Sequence, residues 1–173
     1  MTENTYSPEI ARRLSEASAL RESGQVVEAI SAYKSVLAEA PDLPDSWYNL
    51  GWLQRRAGEP RLAIEAYDRA LGLGIKDPEE VHLNRGVIFA DDLNAPDLAI
   101  EAYRAALALN PDFLQARFNL ANSLEDIGDR DGAAAEYRTM LVDNPRETEP
   151  LARLANLSTV NSADDGLVIR LES

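Results

Sequence analysis

Cysteine is missing from all 173 residues. Its absence excludes disulfides, thiolate zinc sites, iron–sulfur clusters, a cysteine nucleophile and a lipidated cysteine anchor. Lysine is almost missing: Lys34 and Lys76 are the two, and arginine makes up the rest of the 17 basic side chains. Against them stand 30 acidic residues, for a net charge of −13. Such a chain has no excess of cations with which to displace counterions from a nucleic acid. Histidine occurs once, at His82, and aromatic residues make up 6% of the chain. No apolar run approaches the roughly 18 residues a membrane-spanning helix needs. The first dozen residues (MTENTYSPEIAR) lack a secretory leader's basic start and apolar middle, and no myristoylation glycine follows Met1. A cytoplasmic location is therefore the expectation.

What is present suits one folded domain with a buried core. The hydrophobic share of 45% and charged share of 27% are close to a soluble globular average. The acidic excess is four residues up to Arg85 and nine beyond it. That gradient is consistent with a solvated surface and, more sharply, with a basic partner steered by the field.

Self-similarity organises the chain. Four stretches align: EAISAYKSVLAEAP (28–41), LAIEAYDRALGLGIKDP (62–78), LAIEAYRAALALNP (98–111) and GAAAEYRTMLVDNP (132–145). Their tyrosines, Tyr33, Tyr67, Tyr103 and Tyr137, are separated by 34, 36 and 34 residues, and Ala29, Ala63, Ala99 and Ala133 keep the same step. Each stretch follows a second kind of segment: LSEASALRESGQ, SWYNLGWLQRRAGEP, VHLNRGVIFADDLNAP and ARFNLANSLEDIGDR. These end in turn clusters containing Gly24, Gly58, Asn94 and Gly128. Apolar residues recur at three and four steps, as in Ala63, Tyr67, Ala70, Leu71, so both kinds of segment are amphipathic helices. Prolines between segments stop them. Each unit is a helix, a tight turn and a second helix. Small residues (Gly51, Gly86 and Ala121 on first helices, the four alanines on second helices) let backbones approach, and each tyrosine fills the gap.

The phased residues Trp47, Leu50, Gly51, Gly58, Ala63, Tyr67 and Ala70, and again Leu120, Ala121, Gly128, Ala133, Tyr137 and Pro145, resemble the tetratricopeptide repeat over roughly residues 10–147. The resemblance implies an all-α, right-handed solenoid of four helical hairpins with a C-terminal capping helix. The expected divisions are an N-terminal extension (1–9), repeats at 10–43 (with a weak first helix), 44–78, 79–111 and 112–147, a cap at 148–160, and a tail or start of a further helix at 161–173. The third repeat carries Arg85 where the pattern has leucine, and two extra residues: one expected in its turn, since Gly51 to Ala63 is 12 steps and Gly86 to Ala99 is 13, the other in the Gly72–Pro78 connection.

Catalytic chemistry finds little support. His82 sits in the slot Trp47 occupies one repeat earlier, with no evident partner for a ligand or base. Gly72-Leu73-Gly74 lacks the third glycine and the lysine of a phosphate loop. Carboxylate pairs such as Asp91/Asp92, Glu125/Asp126 and Asp164/Asp165 are ordinary in an acidic helical protein. The calcium-like string from Asp126 to Gly132 fails at Ile127 and Arg138, where an EF-hand loop needs oxygen ligands. No metal or cofactor is expected.

A binding surface remains. The resemblance implies that leading helices line a concave groove, which here would carry Tyr48, Asn49, Trp52, Arg55, Asn84, Val87, Phe118, Asn119 and Asn122. Asn49, Asn84 and Asn119 repeat in one slot, and an amide can pair with an extended backbone as donor and acceptor. Solvation alone is the alternative fate of that ladder. Trp47 and Trp52 lie about 140° apart on a helix. Trp47 belongs with the packing set and Trp52 is a candidate anchor, with packing as its competing fate. The lysine-and-arginine clamp for chaperone tails lacks its lysines. The expected function is a non-catalytic scaffold that holds a protein or peptide of unknown identity, with no nucleic acid or membrane partner. The alternatives are a recruiting module of a larger enzyme such as a transferase and a self-associating assembly component, monomer or dimer being open.

Overall fold

Prolines set where helices begin. A proline at the first helical position loses no hydrogen bond and arrives with its φ preset, and five helices of the computed structural model start this way. The structure describes residues 7–143 and 146–158. Pro145, the Asp164/Asp165 pair and the expected tail at 161–173 lie outside them. Among the described residues there are nine helices and no strand: α1 (Pro8–Glu22), α2 (Val26–Glu39), α3 (Pro44–Arg56), α4 (Pro60–Gly72), α5 (Pro78–Val87, continued by a π-helical turn, Ile88–Asp92), α6 (Pro96–Leu109), α7 (Leu114–Asp126), α8 (Arg130–Asp143) and α9 (Thr148–Ser158).

The turn clusters do what their composition suggests. Gly24, Gly58 and Gly128 have φ of 76°, 78° and 82°, the left-handed region that glycine enters without penalty. Asn94 takes that place in the third hairpin with φ 50°, asparagine being the side chain that best tolerates it. Asp129 caps α8, its Oδ1 accepting from Gly132 N at 3.0 Å, so the calcium-like string is a turn followed by a helix cap. No cluster of three metal-ligating side chains occurs among the described residues.

The chain divides into two compact units, residues 1–81 and 82–173, with the division inside α5. In the first, α1 packs on α2, α2 on α3 and α3 on α4. Its core joins Ala17, Ala29, Tyr33, Val36, Leu37, Leu43, Leu50, Leu53 and Ala66, all buried. In the second, α6 packs on the π-turn and on α7, α7 on α8 and α8 on α9. Its core joins Leu83, Ala99, Tyr103, Ala106, Leu120, Ala121, Leu124, Ala133, Tyr137 and Leu141, with Leu154 of α9 buried against them.

Equivalent slots carry equivalent contacts. A Cβ placed on Gly51 would lie 2.8 Å from Tyr67 Cδ1, and one on Gly86 would overlap the Tyr103 ring, 2.6 Å from its Cδ1. Glycine therefore permits each tyrosine to lie flat on the leading helix. In the last hairpin Ala121 fills the slot, and Tyr137 donates its hydroxyl to Asn122 Oδ1 at 2.7 Å. Trp47 Nε1 donates to Pro41 O at 2.7 Å, and Arg117, two repeats on in the same slot, donates to Pro111 O at 2.6 Å. Different side chains thus tie these two leading helices to the loops before them.

The third hairpin corrects one expectation. Its extra residue lies inside the leading helix rather than in the turn. In the second hairpin Ala57 N bonds Leu53 O and Glu59 N bonds Gln54 O; in the third, Leu93 N bonds Ile88 O and Ala95 N bonds Phe89 O. Each span is one residue longer, and Ile88–Asp92 widens into a π-turn. Insertion there leaves the left-handed Asn94 and the start of α6 in register, which insertion into a two-residue turn would not.

Candidate functional site

Within the second unit, the widened end of α5 and the middle of α7 enclose a notch of about 310 Å3. Val87, Ala90 and Asp91 form one wall; Gln115, Asn119, Asn122, Ser123 and Asp126 form the other, and Tyr103 closes the floor. Three sequence-predicted residues, Val87, Asn119 and Asn122, meet here. The side chain of Asn119 makes no hydrogen bond among the described residues, so its amide is open to a ligand. Asn122 is held by Tyr137, which leaves its amide NH2 group for outside contacts. Burial raises the Tyr137 phenol well above its ordinary range, with Glu125 adding to the effect; it is a donor at any physiological pH. Asn84, on α5, is half-buried and hydrogen-bonded or otherwise paired within the protein.

Phe118 stands elsewhere. Its ring packs on Tyr137 at 6.0 Å between centroids and a 57° tilt, and it faces a separate depression with Leu114, Met140 and Pro150. Tyr48 does the same in the first unit, 5.6 Å from Tyr67 at 41°. Both are packing residues at one repeat slot.

The remaining predicted residues lie on α3 in the first unit. Asn49 Oδ1 accepts from Arg21 Nη1 of α1 at 2.6 Å. Trp52 is half-buried against the core, with the Arg56 guanidinium 4.9 Å from its ring centroid, near enough for a cation–π contact. Arg55 also has a partner within the protein. The asparagine slot is therefore not a uniform ladder: Asn49 is tied to a neighbouring helix while Asn119 opens on the notch.

Sequence reasoning missed Ala90 and Gln115 as notch residues, and missed the π-turn that creates the notch. The signal was the 13-residue step from Gly86 to Ala99, which counts an insertion without locating it.

No described helix is long and apolar enough to cross a membrane. The chain is 30% identical over 151 residues to the protein O-mannosyl-transferase TMTC1 of Mus musculus, a match covering 84% of this chain and 16% of the relative. The chain thus spans about a sixth of that relative's length. Among solved structures, MamA superposes with a TM-score of 0.81 at 22% identity, covering 94% of this chain and 88% of that one. YrrB, described as a TPR protein with an unusual peptide-binding site, superposes with a TM-score of 0.75 at 18% identity over 92% of this chain and 81% of its own. The fold is accordingly an all-α helical-repeat solenoid. The profile of the tetratricopeptide repeat matches residues 14–78 and 90–148, and the chain belongs to the tetratricopeptide repeat family.

Proposed function

We propose that this protein is a non-catalytic scaffold that recruits a partner protein by holding an extended, basic segment of it in the notch between α5 and α7. One observation carries the proposal. The notch combines the open Asn119 amide, the oriented Asn122 amide, the apolar wall of Val87 and Ala90, and the Asp126 carboxylate, with Asp91 beside them already partnered within the protein. An amide pair suits the alternating donors and acceptors of an extended backbone, and the Asp126 carboxylate on a protein of net charge −13 favours lysine or arginine in the segment. The described peptide-binding site of YrrB makes a peptide ligand a natural role for this fold. Neither cofactor nor metal is called for, and a cytoplasmic location suits such a scaffold. The reading keeps the repeat divisions expected from the sequence, with α9 as the proposed cap.

A peptide-display selection against the protein, followed by calorimetry, tests this. Selected peptides should be rich in lysine or arginine, and Asn119→Ala should weaken them about tenfold, roughly 1.4 kcal/mol. Wild-type affinity in Asn119→Ala and in Asn122→Ala would remove the notch from the account.

A second role is favoured by the match to the transferase relative: the repeats would then recruit the substrate of a larger enzyme. A gene that encodes a catalytic domain joined to this chain would support it.

A further inference from the structure

A second pocket, separate from the notch, lies in the first unit between α2, α3 and α4. It has a volume of about 430 Å3, within the range of sites that hold a ligand or anchoring side chains. Leu37, Leu50 and Ala66 are its buried side, and the half-buried Trp47 and exposed Leu62 extend the apolar lining outward. Lys34 of α2 and Arg69 of α4 line the same pocket and are exposed. Neither is ion-paired among the described residues. Glu65 lines it too, which leaves the surround with a net positive charge. On a chain of net charge −13, two uncommitted cations beside an apolar pocket favour a ligand that joins a carboxylate to aliphatic side chains.

The chain's own sequence holds such a ligand. Beyond Ser158, and outside the described residues, it includes Asp164-Asp165-Gly166-Leu167-Val168-Ile169. Laid out as a strand, Asp165, Leu167 and Ile169 share one face, and the β-branched pair Val168-Ile169 favours that conformation. The repeat register gives this segment no place as a trailing helix. Leu167 stands 34 residues after Ala133, in a slot where Ala29, Ala63, Ala99 and Ala133 are each 0% exposed and a leucine would overpack.

We propose that the pocket receives residues 164–169 of a second copy of this chain: Leu167 and Ile169 enter among Trp47, Leu50 and Leu62, and Asp165 meets Lys34 and Arg69. A segment that follows the second unit of one copy and a pocket in the first unit of the next join copies head to tail. Such a heterologous contact builds rings or filaments rather than closed dimers.

The test follows the full chain by sedimentation over a concentration series, with the Trp47 indole N–H resonance as the local reporter. The wild type should associate, and the Trp47 signal should shift as it does. Lys34→Glu with Arg69→Glu should weaken association about tenfold, and so should Asp164→Lys with Asp165→Lys. An equal mixture of these two variants should recover it, because each pocket then meets a segment of opposite charge. Leu167→Asp should also weaken it. Arg61→Glu with Arg104→Glu makes the same change of net charge on exposed residues outside the pocket and should associate as the wild type does. Asn119→Ala should leave all of this unchanged, so the pocket and the notch stand or fall separately. A chain that is monomeric throughout, association that survives Leu167→Asp, or charge-reversed copies that fail to recover on mixing would overturn the proposal. A Trp47 signal that ignores concentration and moves only in Leu167→Asp would place the segment in its own copy's pocket and overturn the assignment to a second copy.

Discussion

At the scale of single residues, the repeat slots act as internal controls on one another. Gly86 has Tyr103 against it so closely that a methyl group has no room, and Tyr103 is itself buried and unable to swing away. Gly86→Ala should therefore cost about 1–3 kcal/mol, measured by urea unfolding; a stability equal to wild type would mean the tyrosine is not locked. Ala121 shows that the slot accepts a methyl group where the tyrosine hydroxyl has an asparagine partner. Gln54 offers the opposite case, a buried polar group where the other hairpins carry Leu20, Phe89 and Leu124. Gln54→Leu should raise the unfolding free energy by about 1 kcal/mol, and a loss of stability would show that the amide is satisfied. The spacing of glycine, alanine and tyrosine was plain in the sequence. What was not plain was which asparagine is spoken for: Asn49 is engaged by Arg21, a residue from another helix 28 positions away, and no local pattern announces such a partner.

Among the elements, α5 is the informative one. The other hairpins close their leading helices with α-helical hydrogen bonds and a left-handed glycine, whereas α5 spreads one extra residue through Ile88–Asp92. The helix periodicity, the turn residues and the capping prolines were all legible, because they follow from local backbone preferences. The location of the insertion was not, because it depends on keeping Ala99 and Tyr103 in register with Gly86, a tertiary demand. Ala90 and Asp91 reach the notch through this widening. Deletion of Ala90 should restore the common α-helical spacing, leave the thermal midpoint no lower than wild type, and weaken the selected peptides about tenfold. A variant that melts lower but binds fully would assign the π-turn to folding rather than to recognition.

Over the whole molecule, the buried phenols are a shared electrostatic feature. Desolvation raises the pKa values of Tyr33, Tyr67 and Tyr137 above the ordinary value of 10.0, with Glu22, Tyr48 and Glu125 respectively adding to the rise. The folded state thus prefers the neutral phenol more strongly than the unfolded chain does. Their contribution to stability is complete below pH 10 and is lost as the pH rises through and beyond it. Thermal midpoints should hold steady through mildly alkaline pH and fall above about pH 10; a midpoint that is flat there would mean these rings are hydrated. The fold class and repeat count followed from a 34-residue rhythm that stacks hairpins around small residues. Of the residues expected to line a groove, Val87, Asn119 and Asn122 converge on the notch, whereas Phe118 and Tyr48 each pack on the tyrosine of their own hairpin. The central claim, that the face between α5 and α7 holds a partner's chain, is tested most directly by nuclear Overhauser contacts between a selected basic peptide and the protein. Contacts from the peptide backbone to the side-chain amides of Asn119 and Asn122 and to the Val87 methyl groups are the predicted result. Contacts confined to other surfaces, with those three side chains unmoved, would contradict it.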